Sequence, residues 1–365
     1  MKILFVWTGV TSYMADCWRA LAAEPGVELK VIVEQVASGK EFMADRVLAG
    51  LDYQLIEANT KLNPSARAPT GQLEGFAITS IVQHPNTQTS KRPNDWLPDI
   101  MFVVGWRSKV VRMIVTDLRF ETVPKICCSD MPWRWRPRCF GARFVLAGYL
   151  RRFRGMMVPG RSGARYARWL GFDKTSIFEG MYGIDTERFA RVSKPRDRRG
   201  FLYVGRFVPE KRLDLLVKAY VRYRESGGSW PLDLYGAGFS IPSEAVNVPQ
   251  LSVHSFVQPS EIPRIQSEHA CLVLASDFDP WPLVVLESCA SGTPVIVTDR
   301  CTNHYELVKR NGLVVRHGNV QEMALAMLRM EREYEAFDVA DGVRAAKQYS
   351  CSAWTERIMA ICNGQ

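Results

Sequence analysis

The chain contains no apolar run approaching the roughly eighteen residues that a membrane-spanning helix needs. It contains no C-x-x-C pair; its nine cysteines are scattered, with Cys127 and Cys128 the nearest neighbours. An odd number without metal-ligand spacing fits neither a zinc site nor a disulfide framework, so buried, reduced thiols in a cytoplasmic protein are expected. There is no G-x-G-x-x-G, which removes the dinucleotide fingerprint. The first apolar run, Ile3 to Trp7, is too short for the core of a secretory signal and reads as a strand. No internal repeat or low-complexity tract occurs. One absence is local: between Asp130 and Asp173 there is no acidic residue.

What is present is unevenly placed. A length of 365 residues favours two domains over one core. The net charge of +9 gathers in the acid-free stretch, at Arg134, Arg136, Arg138, Arg143, Arg151, Arg152, Arg154, Arg161, Arg165 and Arg168. Trp133, Trp135, Phe140, Phe144, Tyr149 and Phe153 are interleaved with them. A basic, aromatic segment such as 133–168 suits an anionic membrane surface or a polyanionic ligand. No recognised nucleic-acid module accompanies it, so nucleic acid is not an expected partner. The plain alternative is a solvated, arginine-rich helix face.

Apolar runs of strand length alternate with runs at helical spacing in both halves, the pattern of two doubly wound α/β domains. Strands are expected at 2–7, 29–33, 53–56, 98–104, 124–128, 155–159 and 174–179, and then at 201–204, 232–235, 253–257, 271–275 and 295–297. The stretches 59–75 and 84–95 are polar and broken by Pro, Gly and Asn, and long loops in such domains are usually functional or mobile. His84 reads as a surface-loop histidine.

The most informative stretch is 275–299. An apolar strand ends at Ala275, the chain turns through two acids, prolines and Trp281, and an apolar run at helical spacing closes at Gly292 before Val295-Ile296-Val297. That is one βαβ unit, with carboxylates at the carboxyl end of a strand, where open α/β sheets bind ligands. A helix beginning near Pro282 aims free N–H groups and a positive dipole end into that crevice, which suits a phosphate. Asp279 precedes the helix and Glu287 lies eight residues on.

The run Asp279-Pro280-Trp281-Pro282-Leu283-Val284-Val285-Leu286-Glu287, followed by Ser291-Gly292-Thr293-Pro294-Val295-Ile296, resembles the E-x7-E signature of retaining GT-B glycosyltransferases of the group 1 (GT4-like) family. Asp stands for the first Glu of that signature and Pro282 for its second Gly. Val204-Gly205-Arg206-Phe207-Val208-Pro209-Glu210-Lys211-Arg212-Leu213-Asp214 is similar to the family's V-G-R-x-x-x-E-K-G-x-D, with Arg212 for Gly. Gly236-Ala237-Gly238 resembles its G-x-G and Asn311-Gly312-Leu313-Val314-Val315 its N-G-x-L-V. Gly183-Ile184-Asp185 resembles the N-G-V-D crossing between domains, with Tyr182 for Asn.

The resemblance implies an α/β GT-B fold, two Rossmann-like domains facing across a cleft. Its parts are an acceptor domain at 1–190, a nucleotide-sugar domain at 191–345, and a terminal helix within 346–365 returning to the first domain. It implies transfer of a sugar from a nucleotide diphosphate donor, UDP-sugar first and GDP-mannose next, to a hydroxyl of a glycan or lipid-linked acceptor in bacterial surface polysaccharide synthesis. Glu287 would accept hydrogen bonds from the ribose and Asp279 would hold sugar hydroxyls. Arg206 and Lys211 would neutralise the diphosphate, helped by the first turn of the helix at Pro282, Leu283 and Val284. Gly9, Gly205 and Gly236 would let backbone approach the ligand, and Val257 and Gln258 would flank the base. Where many members carry His-Asp, Ser129-Asp130 stands, leaving Asp130 to orient the acceptor hydroxyl.

Asp277-Phe278-Asp279 also reads as D-x-D, a metal-binding signature of the unrelated GT-A enzymes. With Arg206 and Lys211 supplying positive charge, neither a metal nor a cofactor is expected. No membrane span is expected either; a cytoplasmic protein, peripheral on the inner face of the membrane, fits. Two alternatives stand beside the transferase: a non-catalytic sugar-nucleotide-binding protein and a sugar epimerase of this fold.

Overall fold

A computed structural model describes residues 1–9, 11–35, 47–57, 96–133, 137–192, 198–241, 245 and 247–364. The stretches 59–75 and 84–95, His84 included, lie outside the described residues, as do Arg134, Trp135, Arg136 and 193–197.

Two parallel sheets organise the chain. The first is built from β1 (Lys2–Thr8), β2 (Glu28–Gln35), β3 (Tyr53–Glu57), β4 (Ile100–Val104), β5 (Lys125–Cys128), β6 (Gly155–Val158) and β7 (Ile177–Glu179), in the order β3-β2-β1-β4-β5-β6-β7. The second is built from β8 (Phe201–Val204), β9 (Leu232–Tyr235), β10 (Leu251–His254), β11 (Cys271–Leu274), β12 (Val295–Thr298) and β13 (Gly312–Val315), in the order β10-β9-β8-β11-β12-β13. Strands such as β11 and β12 are buried along their whole length, as expected where helices cover both faces. Strand order reverses between β1 and β4 and between β8 and β11, and those switch points open the crevices in which doubly wound sheets bind ligands.

The helices of the first lobe are α1 (Ser12–Ala22), α2 (Lys109–Thr116), α3 (Pro137–Leu150), α4 (Arg161–Leu170) and α5 (Thr186–Ala190). Those that follow are α6 (Leu213–Glu225), α7 (Ile262–Glu268), α8 (Leu283–Ala290), α9 (His304–Leu307), α10 (Val320–Arg332), α11 (Val339–Lys347) and α12 (Cys351–Cys362). None of the helices among the described residues is long and apolar enough to cross a membrane.

The strand expected at 253–257 is shorter, Leu251–His254. Its partner β9 ends at Tyr235, and the chain beyond turns away so that Gly238 bridges Phe207; 255–257 therefore have no edge to pair with.

α12 packs on α1, and its Trp354 is fully buried beside Phe5 of β1, with ring centroids 5.7 Å apart. The Trp354 indole N–H donates to the Met181 carbonyl at 2.9 Å. Just ahead of α12, Ser350 forms a parallel bridge with Ile184, so the two passages of the chain between lobes lie side by side. The Ile184 N–H donates to Tyr349 O at 2.9 Å, and the Cys351 N–H donates back to Ile184 O at 3.0 Å.

Candidate active site

The second lobe's switch point is assembled from three strand ends. β8 runs into Gly205 and the exposed Arg206, and the Tyr203 hydroxyl donates to the Arg206 carbonyl at 2.9 Å, holding that turn. A Cβ on Gly236 would sit 1.9 Å from the Gly205 carbonyl oxygen, so this glycine is needed for the close approach of the β8 and β9 turns. Gly205 and Gly236 thus shape the floor by packing on each other.

After β8 a single 3-10 turn, Pro209–Lys211, delivers Lys211 into the crevice, where its ammonium pairs with the Asp279 carboxylate. Asp279 is 6% exposed, and burial pushes its carboxyl up while Lys211 pulls it down. Arg212 follows in the left-handed region, φ 50° and ψ 48°, where the family motif has Gly. Its guanidinium forks onto Asp214 at 2.9 Å and reaches Asp277 at 2.6 Å, contacts that offset the backbone cost of about 1–2 kcal/mol for a non-glycine there. The D-x-D pair is therefore split: Asp277 turns to Arg212 and Asp279 to Lys211. Among the described residues no group of three or more His, Cys, Asp or Glu side chains is arranged to hold a metal ion.

Pro282 precedes α8 with extended dihedrals, φ −65° and ψ 102°, and among the described residues no side chain caps this helix. The first-turn N–H groups at Leu283 and Val284 have no intrahelical acceptor and face the crevice with the positive end of the dipole. Pro282 itself, lacking an N–H, fits the position and lends only its carbonyl, which accepts from Asn303 at 2.9 Å. One turn into α8 is Glu287, whose carboxyl burial pushes to about 7, with Arg188 of α5 opposing the shift.

The first lobe contributes a different set. Gly9, at the carboxyl end of β1, has φ +75°, and no atom lies within 4 Å of where its Cβ would be. Space is open above it. Asp130 follows β5, half-buried, and accepts a hydrogen bond from the Tyr182 hydroxyl at 3.3 Å. Burial raises the Asp130 carboxyl, and the Tyr182 contact holds it down. Tyr13 packs edge-on to Tyr182 with centroids 5.6 Å apart and feels the charge of both Asp130 and Glu287, so this ring lies where the two lobes meet. Across the same cleft the Arg161 N–H, at the start of α4, donates to Glu306 Oε1 of α9 at 2.9 Å.

The structure thus brings Arg206, Lys211, Asp279, Gly205, Gly236 and the α8 start together at one mouth, and places Glu287, Asp130 and Gly9 on the cleft beside it. Val257 and Gln258 lie beyond the end of β10, farther out in the strand order, where the Gln258 N–H donates to Glu261 at 3.3 Å. Tyr13, Arg188 and Glu306 carry no sequence signal of their own. Tyr182 has one, since it replaces the Asn of the domain-crossing motif.

Residues 185–339 match the family model of glycosyl transferases group 1. That match lies almost wholly within the second lobe, which carries the likeness to this family. A mannosylfructose-phosphate synthase of Agrobacterium fabrum is 22% identical over 215 residues, 50% of this chain and 46% of that protein. An exopolysaccharide phosphotransferase of Streptomyces coelicolor is 27% identical over 132 residues, 34% of this chain and 14% of that protein. The chain therefore spans less than half the length of these curated relatives. Among solved structures, the lipopolysaccharide outer core galactosyltransferase WaaB superposes with a TM-score of 0.68 at 14% identity, over 99% of this chain and 98% of that one. Anabaena HepE in complex with UDP gives 0.70 at 14% identity over the full length of both chains. Likeness at this identity establishes the fold: both lobes of the glycosyl transferase arrangement, α/β and GT-B, are present.

Proposed function

We propose that this chain transfers a sugar, with retained anomeric configuration, from a nucleotide diphosphate sugar to a hydroxyl of a glycan or lipid-linked acceptor in surface polysaccharide synthesis. The observation that carries this is the convergence of Arg206, Lys211 and the uncapped start of α8 on the switch point between β8 and β11. Such a mouth matches a diphosphate: one forked cation, one point charge and aligned N–H groups, placed where charge grows as the glycosidic bond breaks. Stabilising the leaving group in this way favours a same-face, oxocarbenium-like route without a covalent enzyme intermediate.

In this reading Lys211 is shared between Asp279 and the diphosphate. Asp279, one methylene shorter than the family's Glu, stays pinned near Lys211 and meets the sugar's hydroxyls from there. Glu287 accepts from the ribose, and Asp130, steadied by Tyr182, orients the acceptor hydroxyl. The UDP in HepE supports UDP as the donor nucleotide, ahead of GDP. The engagement of Asp277 and Asp279 by separate cations supports a metal-independent reaction. An anionic membrane surface is the partner proposed for the arginine-rich segment, with the protein peripheral on the cytoplasmic face.

The test is a donor screen by thermal shift against UDP, GDP, ADP, CMP and their sugars, followed by product analysis with the donor that stabilises. A stabilising donor sugar, an α-linked product from an α-linked donor, and unchanged turnover in excess EDTA are expected. A chain that no sugar nucleotide stabilises sinks the proposal. A second reading, a sugar-nucleotide-binding protein without turnover, is favoured by Ser129 standing where many members carry histidine. Donor stabilisation without hydrolysis or transfer would select it.

A further inference from the structure

A cavity of about 430 Å³ opens in the first lobe, away from the cleft. Its wall includes Arg143 and Phe144 of α3, Arg151 and Arg154 from the turn that follows, Phe153 and Asp173. Arg151 and Arg154 precede β6, and Asp173 precedes β7. The cavity therefore sits at the amino ends of these strands, whereas Asp130 and Gly9 sit at the carboxyl ends. In a parallel sheet those are opposite edges, so this site is separate from the transfer site.

Two properties of the cavity point in one direction. Among the described residues, none of its three arginines is within ion-pair distance of a carboxylate. Arg143 is steadied instead by lying over the Trp169 ring, 5.6 Å from its centroid. Asp173 is the one acid on the wall. On the cavity side, α3 exposes large aromatic side chains beside those cations: Phe144 of the wall is 71% exposed, and Phe140, one turn before it on the same helix face, is 49% exposed. A soluble anion has no use for bare aromatic groups around its site. A bilayer surface needs both, phosphate for the guanidinium groups and an acyl boundary for the rings.

We propose that this cavity receives the headgroup phosphate of an anionic membrane glycerophospholipid, with Arg143, Arg151 and Arg154 on the phosphate and Phe144 inserted beside it. The lobe is thereby held on the bilayer by a face other than the one that binds the acceptor. The proposal takes from the functional reading only the reason for a membrane; binding at the cavity requires no donor and no turnover.

The experiment is flotation of the full chain with vesicles of phosphatidylcholine alone, or of phosphatidylcholine with phosphatidylglycerol. UDP thermal shift runs in parallel to report the fold and the donor site. Wild type is expected to float with the anionic vesicles and not with the neutral ones. At about fivefold per arginine near an anionic surface, the R143Q/R151Q/R154Q variant should lose roughly a hundredfold in partition. F144Q should weaken binding without changing its dependence on anionic lipid. A charge-matched control, R329Q/R332Q/K347Q, removes the same three charges from another surface and should float like wild type.

Equal flotation on both vesicle types, absence of flotation, or an unaltered arginine variant would each overturn the proposal. So would equal loss in the charge-matched control, which would mean net charge alone. Displacement by inorganic phosphate at matched ionic strength would assign the cavity to a soluble anion instead. A retained UDP shift with lost flotation separates this failure from failure of the transferase reading.

Discussion

The two switch points are furnished differently. At the second lobe's switch point two of the three cations face carboxylates: Lys211 meets Asp279, and Arg212 meets Asp214 and Asp277. In the first lobe's mouth Asp130 is met by a neutral phenol at 3.3 Å, with a second tyrosine ring edge-on behind it, and the Arg107 cation acts on it only through space. One mouth is poised to exchange an internal anion for an external one. On the proposed reading the other takes a hydroxyl, which needs an acceptor for its proton and an apolar wall more than it needs charge. The difference says which lobe should take the charged substrate.

The sharpest way to break this contrast is to empty the charged mouth. Lys211→Ala leaves Asp279 buried without its partner, and removing one member of such a pair costs about 3 kcal/mol of stability. Transfer should fall by about 10²–10³-fold, the scale for loss of one group that stabilises a leaving oxyanion. Calorimetric unfolding and kcat/KM with a saturating acceptor measure the two losses. If kcat/KM stays within twofold, the charged mouth is not the donor site.

Next in size is a pH effect on the same side. Glu287 titrates near 7 in the folded chain because burial disfavours its charged form. Its protonated form is therefore favoured by folding. The chain should lose stability as pH rises from the unfolded carboxylate range near 4.3 through 7, by an amount bounded by about 3.7 kcal/mol. Donor binding should move the opposite way. An ionised carboxylate accepts from the ribose hydroxyls better than a protonated one, so UDP should bind several-fold more tightly at pH 8 than at pH 6. Titration calorimetry on wild type and Glu287→Gln checks this: the variant should bind with little pH dependence.

On the hydroxyl-matched side the effect should be smaller and confined to the acceptor. Tyr182→Phe removes the hydrogen bond that holds the Asp130 carboxyl down. The low-pH limb of turnover should move to higher pH and kcat should drop about three- to tenfold, with the UDP dissociation constant unchanged. A shift in UDP affinity instead would show that the two mouths are not independent. Smallest of all should be Arg212→Gly, which relieves a left-handed backbone but forfeits two partly exposed ion pairs worth about 0–1 kcal/mol each. Its melting temperature should shift by only a few degrees in either direction.

Much of the charged mouth could be read from residue order because it is local. The strand, turn and helix of 271–290 and the cations after β8 sit within short stretches, where spacing alone determines which side chains share a strand end. The departure at Arg212, where the resembling motif has glycine, was legible too, but its left-handed backbone is seen only in the structure. The acceptor side was less so. Tyr13 meets Tyr182, and Arg161 meets Glu306, across long separations in sequence, and such pairs leave no periodic trace. The end of β10 escaped for a related reason: Val253 to Val257 has the composition of a strand, but strand length is decided by the neighbour, and β9 had already turned away at Gly236.

The bridge between Ile184 and Ser350 has a mechanical meaning. Both covalent tethers between the halves pass through one spot, so the halves cannot slide along each other without tearing backbone hydrogen bonds, whereas pivoting about that spot strains only a few dihedrals. Such a pivot would leave α12 riding with the first half, its indole anchored behind β1.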